Sequence, residues 1–139
     1  MILLDTNVVS EIMRPRPQPS VVDWLNRQST DLLYISTITL AEIHYGLDLV
    51  PSGRRKAVLS DRFELFIQNG FTQRIVSFDE LSARLYGELM GRRQKMGRPL
   101  SSLDGQIAAI ARANKCGVAT RNHRDFELCG LEIVNPFLD

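Results

Sequence analysis

Ile2-Leu3-Leu4 runs directly into an acid, Asp5, and this junction limits the fold more than any other part of the chain. Three aliphatic residues without polar alternation describe a short strand buried on both faces, because a strand with one wet face alternates apolar and polar side chains. Such a strand belongs in a parallel sheet between helices. The carboxyl ends of its strands open on the crevice where ligands bind, so an acid at that end is placed for chemistry.

Four later stretches read as further strands: Leu32-Leu33-Tyr34-Ile35-Ser36, Arg74-Ile75-Val76-Ser77-Phe78, Val118-Ala119-Thr120 and Leu131-Glu132-Ile133-Val134. Helical patterns lie between them. Thr6 or Asn7 can cap a short helix to about Met13, with Val8, Val9 and Ile12 as its buried side. The alternating prolines Pro15, Pro17 and Pro19 end it, and a second helix runs from Ser20 to about Arg27.

Thr39-Leu40-Ala41-Glu42 has the spacing of a capping box and opens a helix with Leu40, Ile43, Leu47 and Val50 on one stripe. Another helix carries Leu59, Phe63, Phe66 and Ile67 to Asn69-Gly70. Asp79 can cap a helix in which Leu81, Leu85 and Leu89 share a face, and the stretch from Gly91 to Pro99 reads as its frayed end and an exposed basic loop. Ser101-Ser102-Leu103-Asp104 begins the next helix, with Leu103, Ile107 and Ile110 inward. Strand and helix alternating with short connections predict an α/β fold, a mostly parallel sheet covered on both faces, in a single domain over residues 1–139.

Composition narrows the function. The 17 basic and 16 acidic residues leave a formal charge of +1, so no chain-wide excess draws the protein to nucleic acid or a membrane. Cys116 and Cys129 are too far apart for a paired-cysteine metal motif and are expected to be reduced. No basic leader follows Met1 and no apolar run is long enough to span a bilayer, so the expected location is cytoplasmic.

Asp5, Asp104 and Asp125 fall after strands or near a helix start, and Glu42 lies in the first turn expected of another helix, so a parallel sheet brings all four to one edge. Carboxylates held together repel one another unless a cation neutralises them. Oxygen-only ligation suits magnesium or manganese, and such a site can activate water against a phosphodiester. Each acid also has a structural explanation: Asp5 and Asp125 as turn residues, Glu42 and Asp104 as capping-box or helix-dipole acids. Arg92, Arg93, Lys95 and Arg98 can guide a nucleic-acid backbone or form a solvated helix end, and His123 can reach phosphate beside Arg121 and Arg124 or stay solvated.

Four segments, in order, resemble the motifs of the PIN-domain ribonucleases: Asp5-Thr6-Asn7-Val8, Thr39-Leu40-Ala41-Glu42-Ile43, Asp104-Gly105-Gln106-Ile107-Ala108-Ala109 and Thr120-Arg121-Asn122-His123-Arg124-Asp125-Phe126. The likeness is strongest to the toxins of bacterial and archaeal toxin–antitoxin pairs. It implies a three-layer α/β/α fold with a five-stranded, mostly parallel sheet, and hydrolysis of RNA dependent on Mg2+ or Mn2+. It implies that Asp5, Glu42 and Asp104 are the principal acids and that Asp125 is a fourth, ligating directly or through water. Thr6, Thr120 and Asn122 become polar supports. It also implies a homodimer inhibited by a small antitoxin protein, whose other domain binds operator DNA. Two other readings fit the same acids: a phosphoesterase acting on DNA or small phosphate esters, and a non-enzymatic RNA- or protein-binding protein.

Overall fold

Strands β1 (Ile2–Leu4), β2 (Leu33–Ser36), β3 (Ile75–Val76), β4 (Gly117–Ala119) and β5 (Ile133–Val134) pair in parallel in the order β3-β2-β1-β4-β5. The structure is a computed structural model that describes residues 1–138; Asp139, the last residue of the expected domain, lies outside the described residues. β1 is central, with Leu3 opposite Tyr34 on one side and Val118 on the other. The chain passes from β1 to β2 and β3 on one side and then crosses from β3 to β4 on the other side of β1, and this reversal opens a crevice at the carboxyl ends of β1 and β4.

Alternate residues of the central strands enter opposite cores. Leu4, Ile35 and Ala119 pack with Val8 and Val9 of α1 (Thr6–Ile12), Val21 and Trp24 of α2 (Pro19–Arg27), Ile43 of α3 (Thr37–Leu49) and Phe63 of α4 (Arg54–Gly70). Leu3 and Val118 pack with Leu89 of α5 (Glu80–Lys95), Ile107 and Ile110 of α6 (Ser102–Ala113) and Phe126 of α7 (His123–Phe126). Leu3 and Leu4 are both 0% exposed, so each contributes roughly 1.5–3 kcal/mol of burial. Gly105 lets α6 lie close to α5, since a Cβ there would stand 2.4 Å from the Met90 sulfur and 3.1 Å from the Tyr86 ring. Among the described residues, no helix is long and apolar enough to cross a membrane.

Several local expectations change. Leu103 is exposed rather than inward, because α6 begins its buried stretch at Gly105, and Leu81 parts from Leu89 in being exposed, because α5 buries Ser82, Leu89 and Arg93 along one stripe. Asp5 itself caps α1, its carboxylate accepting from the Thr6 N–H at 2.8 Å. The Thr39–Glu42 pair is not a capping box. The chain turns into α3 directly after β2, so Ser36 is the N-cap and accepts from the Thr39 N–H at 3.1 Å, leaving Glu42 inside the helix. Arg74 lies outside β3 and donates to the carbonyls of Leu33 and Gly70.

Candidate active site

Asp5 joins the end of β1 to the start of α1, which sets its buried carboxylate at the carboxyl edge of the sheet. Oδ2 accepts from the Thr120 hydroxyl at 2.7 Å and from Asn7 Nδ2 at 3.2 Å, while Oδ1 holds the Thr6 N–H. The Thr120 hydroxyl also accepts from the Asn122 N–H at 2.9 Å. On the other side Thr6 Oγ1 donates to Glu42 Oε1 at 2.7 Å and lies 3.1 Å from Thr39 Oγ1, so the first turn of α1 orients the Glu42 carboxylate. Without a capping-box partner, that carboxylate has this hydroxyl as its local anchor.

Asp104 enters from α6, where the Ser101 cap accepts its N–H at 3.2 Å. Asp5, Thr6, Asn7, Glu42, Asp104 and Asn122 line one cleft of about 490 Å³. Asp125, on α7, is exposed and outside that lining, yet close enough for its charge to act on Asp104. Among the described residues, no three His, Cys, Asp or Glu side chains are drawn together tightly enough to form a metal cage.

Electrostatics mark Asp5. Burial pushes its pKa up to about 6; the hydrogen bonds from Thr120 and the Thr6 N–H pull down, and the Asp104 and Glu42 charges add to the rise. Asp104 is also raised, first by burial, against a Ser101 hydrogen bond, and then by Asp125. Replacing Thr120 with Val removes the largest lowering influence on Asp5 at nearly constant shape. The expected result is a further upward shift of the Asp5 pKa, read by carboxyl-carbon NMR titration; an unchanged or lowered value would contradict the assigned role of the hydroxyl.

The basic residues divide differently from expectation. Arg93 is unavailable to RNA: it is 3% exposed, because α5 continues to Lys95 and turns this side chain inward. Its Nε donates to the Arg98 carbonyl at 2.8 Å; Nη1 donates to the carbonyls of Glu127 at 2.7 Å and Asp125 at 3.2 Å, and to Cys129 Sγ at 3.1 Å. It thus joins the irregular segment before α6 to the turn that carries Asp125. Arg98 pairs with Glu127 at 3.4 Å, and His123 Nδ1 lies 3.3 Å from the same carboxylate. Arg92 and Lys95 line a separate depression with Arg112, and Arg124 is exposed outside the acidic cleft. Of these candidates, Arg121 lines the cleft. Both cysteines are buried and free, and burial pushes their thiols up, which keeps them protonated and unsuited to nucleophilic chemistry.

Asn7, Ser10, Glu11 and Arg14 also line the cleft and were not singled out from sequence. A signal existed. Asn7, Ser10 and Glu11 recur at helical spacing on α1, opposite its Val8, Val9 and Ile12 stripe and next to the motif acid, and Arg14 follows just past the helix end at the same spacing.

The PIN domain family model matches residues 2–129. This chain belongs to the PIN-domain family. Over its full length and that of its relative, this PIN domain is 40% identical to toxin FitB of Neisseria gonorrhoeae. It is 39% identical to VapC ribonuclease Y4jK of Sinorhizobium fredii, over 99% of this chain and 98% of the other. The structure of FitAB bound to an IR36 DNA fragment matches with a TM-score of 0.93 and 39% identity, covering 99% of this chain and 96% of that one. The expected α/β class and parallel sheet therefore hold at the level of the whole fold. In this PIN domain the acidic cleft contains no His or Cys in its lining, a donor set of oxygens that fits a hard divalent cation better than zinc or copper.

Proposed function

We propose that this protein is a metal-dependent endoribonuclease that acts as the toxin of a toxin–antitoxin pair. One observation carries the reading: a buried carboxyl, Asp5, raised to about 6, shares an open cleft with Asp104 and Glu42. Like charges in that arrangement favour either a proton or a cation, and the open cleft admits the cation. Asp5, Glu42 and Asp104 would hold Mg2+ or Mn2+, with Asp125 at the margin. When bound, the ion supplies Lewis-acid polarisation of a phosphodiester and a lower pKa for attacking water.

The chain's own groups supply order. Thr120 and Asn7 keep the Asp5 carboxylate from rotating, Thr6 does the same for Glu42, and Ser101 fixes the helix start that bears Asp104. Asp5 loses its proton as pH rises through about 6, so the acids accept a cation more readily above that value. Water attack leaves 5′-phosphate and 3′-hydroxyl ends, and the RNA 2′-hydroxyl then serves recognition rather than attack. The names FitB toxin and VapC ribonuclease, carried by relatives at about the same identity, support RNA as substrate and a toxin role. The likeness to FitAB bound to DNA supports capture by an antitoxin, with operator binding through that partner. A homodimer is part of the same proposal.

The test is cleavage of labelled single-stranded RNA by partner-free protein and by Asp104→Asn, with Mn2+, with Mg2+ and with excess chelator. Wild-type cleavage that requires metal, yields 5′-phosphate ends and disappears in the folded variant is expected. Metal-independent cleavage, or full activity in D104N, would overturn the reading.

A further inference from the structure

Glu11 is a buried carboxylate that the chemistry above does not use. Its side chain is 5% exposed, one turn beyond Asn7 on α1. It accepts from the Gln18 N–H at 3.0 Å and from Arg14 Nη1 at 3.1 and 3.4 Å, and Arg121 Nη2 stands 3.5 Å from Oε1. Burial pushes the Glu11 pKa up, but the Gln18 hydrogen bond, the Arg14 hydrogen bond and the two guanidinium charges outweigh it, and the carboxyl sits below its ordinary value. Glu11 is therefore ionised, and the trio with Arg14 and Arg121 carries a net charge of +1.

Both arginines keep much of their surface open, at 65% and 52% exposure, and both line the cleft that holds Asp5, Glu42 and Asp104. Arg121 is held from several directions. Its guanidinium lies 3.9 Å from the Phe137 ring centroid, its edge faces Glu11, and its backbone N–H donates to Asn7 Oδ1 at 3.1 Å. Asn7 in turn donates to Asp5 Oδ2. Two hydrogen bonds thus tie the Arg121 backbone to the central acid, while Phe137 and Glu11 hold its guanidinium.

We propose that Arg14 and Arg121, oriented by Glu11, form a clamp for an RNA backbone phosphate adjacent to the one that is cut. The proposal rests on the ribonuclease reading above and adds a binding subsite to it. A planar guanidinium fork matches two phosphate oxygens, and an arginine already held by stacking and a carboxylate loses little freedom on binding. Such a foothold also answers an electrostatic difficulty. A cleft walled by Asp5, Glu42 and Asp104 repels a polyanion, and the arginine wall of the same cleft attracts it. Glu11 is a positioning residue here, acting through the arginines.

The test measures anisotropy of labelled single-stranded RNA on the intact protein in chelator over a range of KCl, together with kcat and KM in Mn2+. Arg14→Ala and Arg121→Ala should each weaken binding roughly 5- to 10-fold, raise KM accordingly and leave kcat within about twofold. Each should flatten the salt slope by about 0.7. Arg121→Lys, which keeps the charge and loses the fork, should lose much of the same affinity. The sign for Glu11→Gln is decisive: the variant gains one positive charge, so general electrostatics tightens RNA binding, whereas loss of the orienting carboxylate weakens it.

Tighter RNA binding by folded E11Q, or unchanged binding by R14A and R121A, would overturn the clamp. If E11Q does not fold, the exposed arginine variants still decide. Arginine variants that keep RNA affinity but release an antitoxin would place these groups in a protein interface and refute the proposal. Wild-type cleavage with unaffected arginine variants refutes the clamp alone; a wild type that neither binds nor cleaves RNA refutes the ribonuclease reading together with it.

Discussion

Asp5→Asn is expected to abolish metal-dependent RNA cleavage, by roughly two orders of magnitude or more, while making the metal-free protein more stable at pH 7. The two effects share one cause. In the folded chain the Asp5 pKa is about 6, above its ordinary 3.8, because the carboxyl is buried beside Asp104 and Glu42. A folded pKa above the unfolded one means that the native state binds a proton which the unfolded state releases between those values. Stability from this group is fully present below the unfolded value and is lost as pH rises through the folded one.

The shift corresponds to about 3 kcal/mol, absent at neutral pH in the wild type. Asparagine is neutral throughout and removes that loss. It also returns one good acceptor fewer to Thr120 and Asn7, so a net gain of about 1–2 kcal/mol and a Tm rise of roughly 3–8 °C are expected in chelator. Melting both proteins between pH 4 and 7, with and without Mn2+, checks this. The gap should open with pH in chelator and close or reverse with Mn2+, which favours the ionised wild-type site. A D5N protein less stable than wild type at pH 7 in chelator would contradict the assigned burial cost.

Arg93→Met should lower the free energy of unfolding by about 3–5 kcal/mol, with a Tm fall of roughly 10–20 °C. Methionine fills similar space but leaves the carbonyls of Arg98, Asp125 and Glu127 without their guanidinium donor. Chemical denaturation measures the loss. Hydrogen exchange locates it: protection should fall first over residues 96–101 and 121–130, which the guanidinium ties together. Arg93→Lys keeps the charge with fewer donors in a different geometry and should fall between. A loss below about 1 kcal/mol in R93M would show that those carbonyls find water instead.

Legibility differed with the range of the interaction. Ile2-Leu3-Leu4 could be read as a buried parallel strand because its neighbours on both faces are required by its own side chains. The stop at Asn69-Gly70 and the Asp79 cap were likewise local, and the structure places α4 and α5 accordingly. The capping-box reading of Thr39 and Glu42 failed although its spacing was right, because the helix start was set by how β2 ends at Ser36. Glu11 went unread for a related reason: its polar stripe on α1 was visible, but its second guanidinium partner comes from Arg121, far along the chain.

By itself the sequence determined the alternation of strands and helices, the parallel sheet, and the acids at strand ends and helix starts. These follow from side-chain hydrophobicity and backbone chemistry over a few residues. Tertiary structure alone decided which charges meet. It turned Arg93 from an expected RNA guide or solvated helix-end residue into a buried tie, left Asp125 at the cleft margin, and joined Arg14, Glu11 and Arg121 beside Asp5. Burial and Coulomb interactions depend on distance in space, and the distance between residues remote in the chain exists only once the sheet has closed.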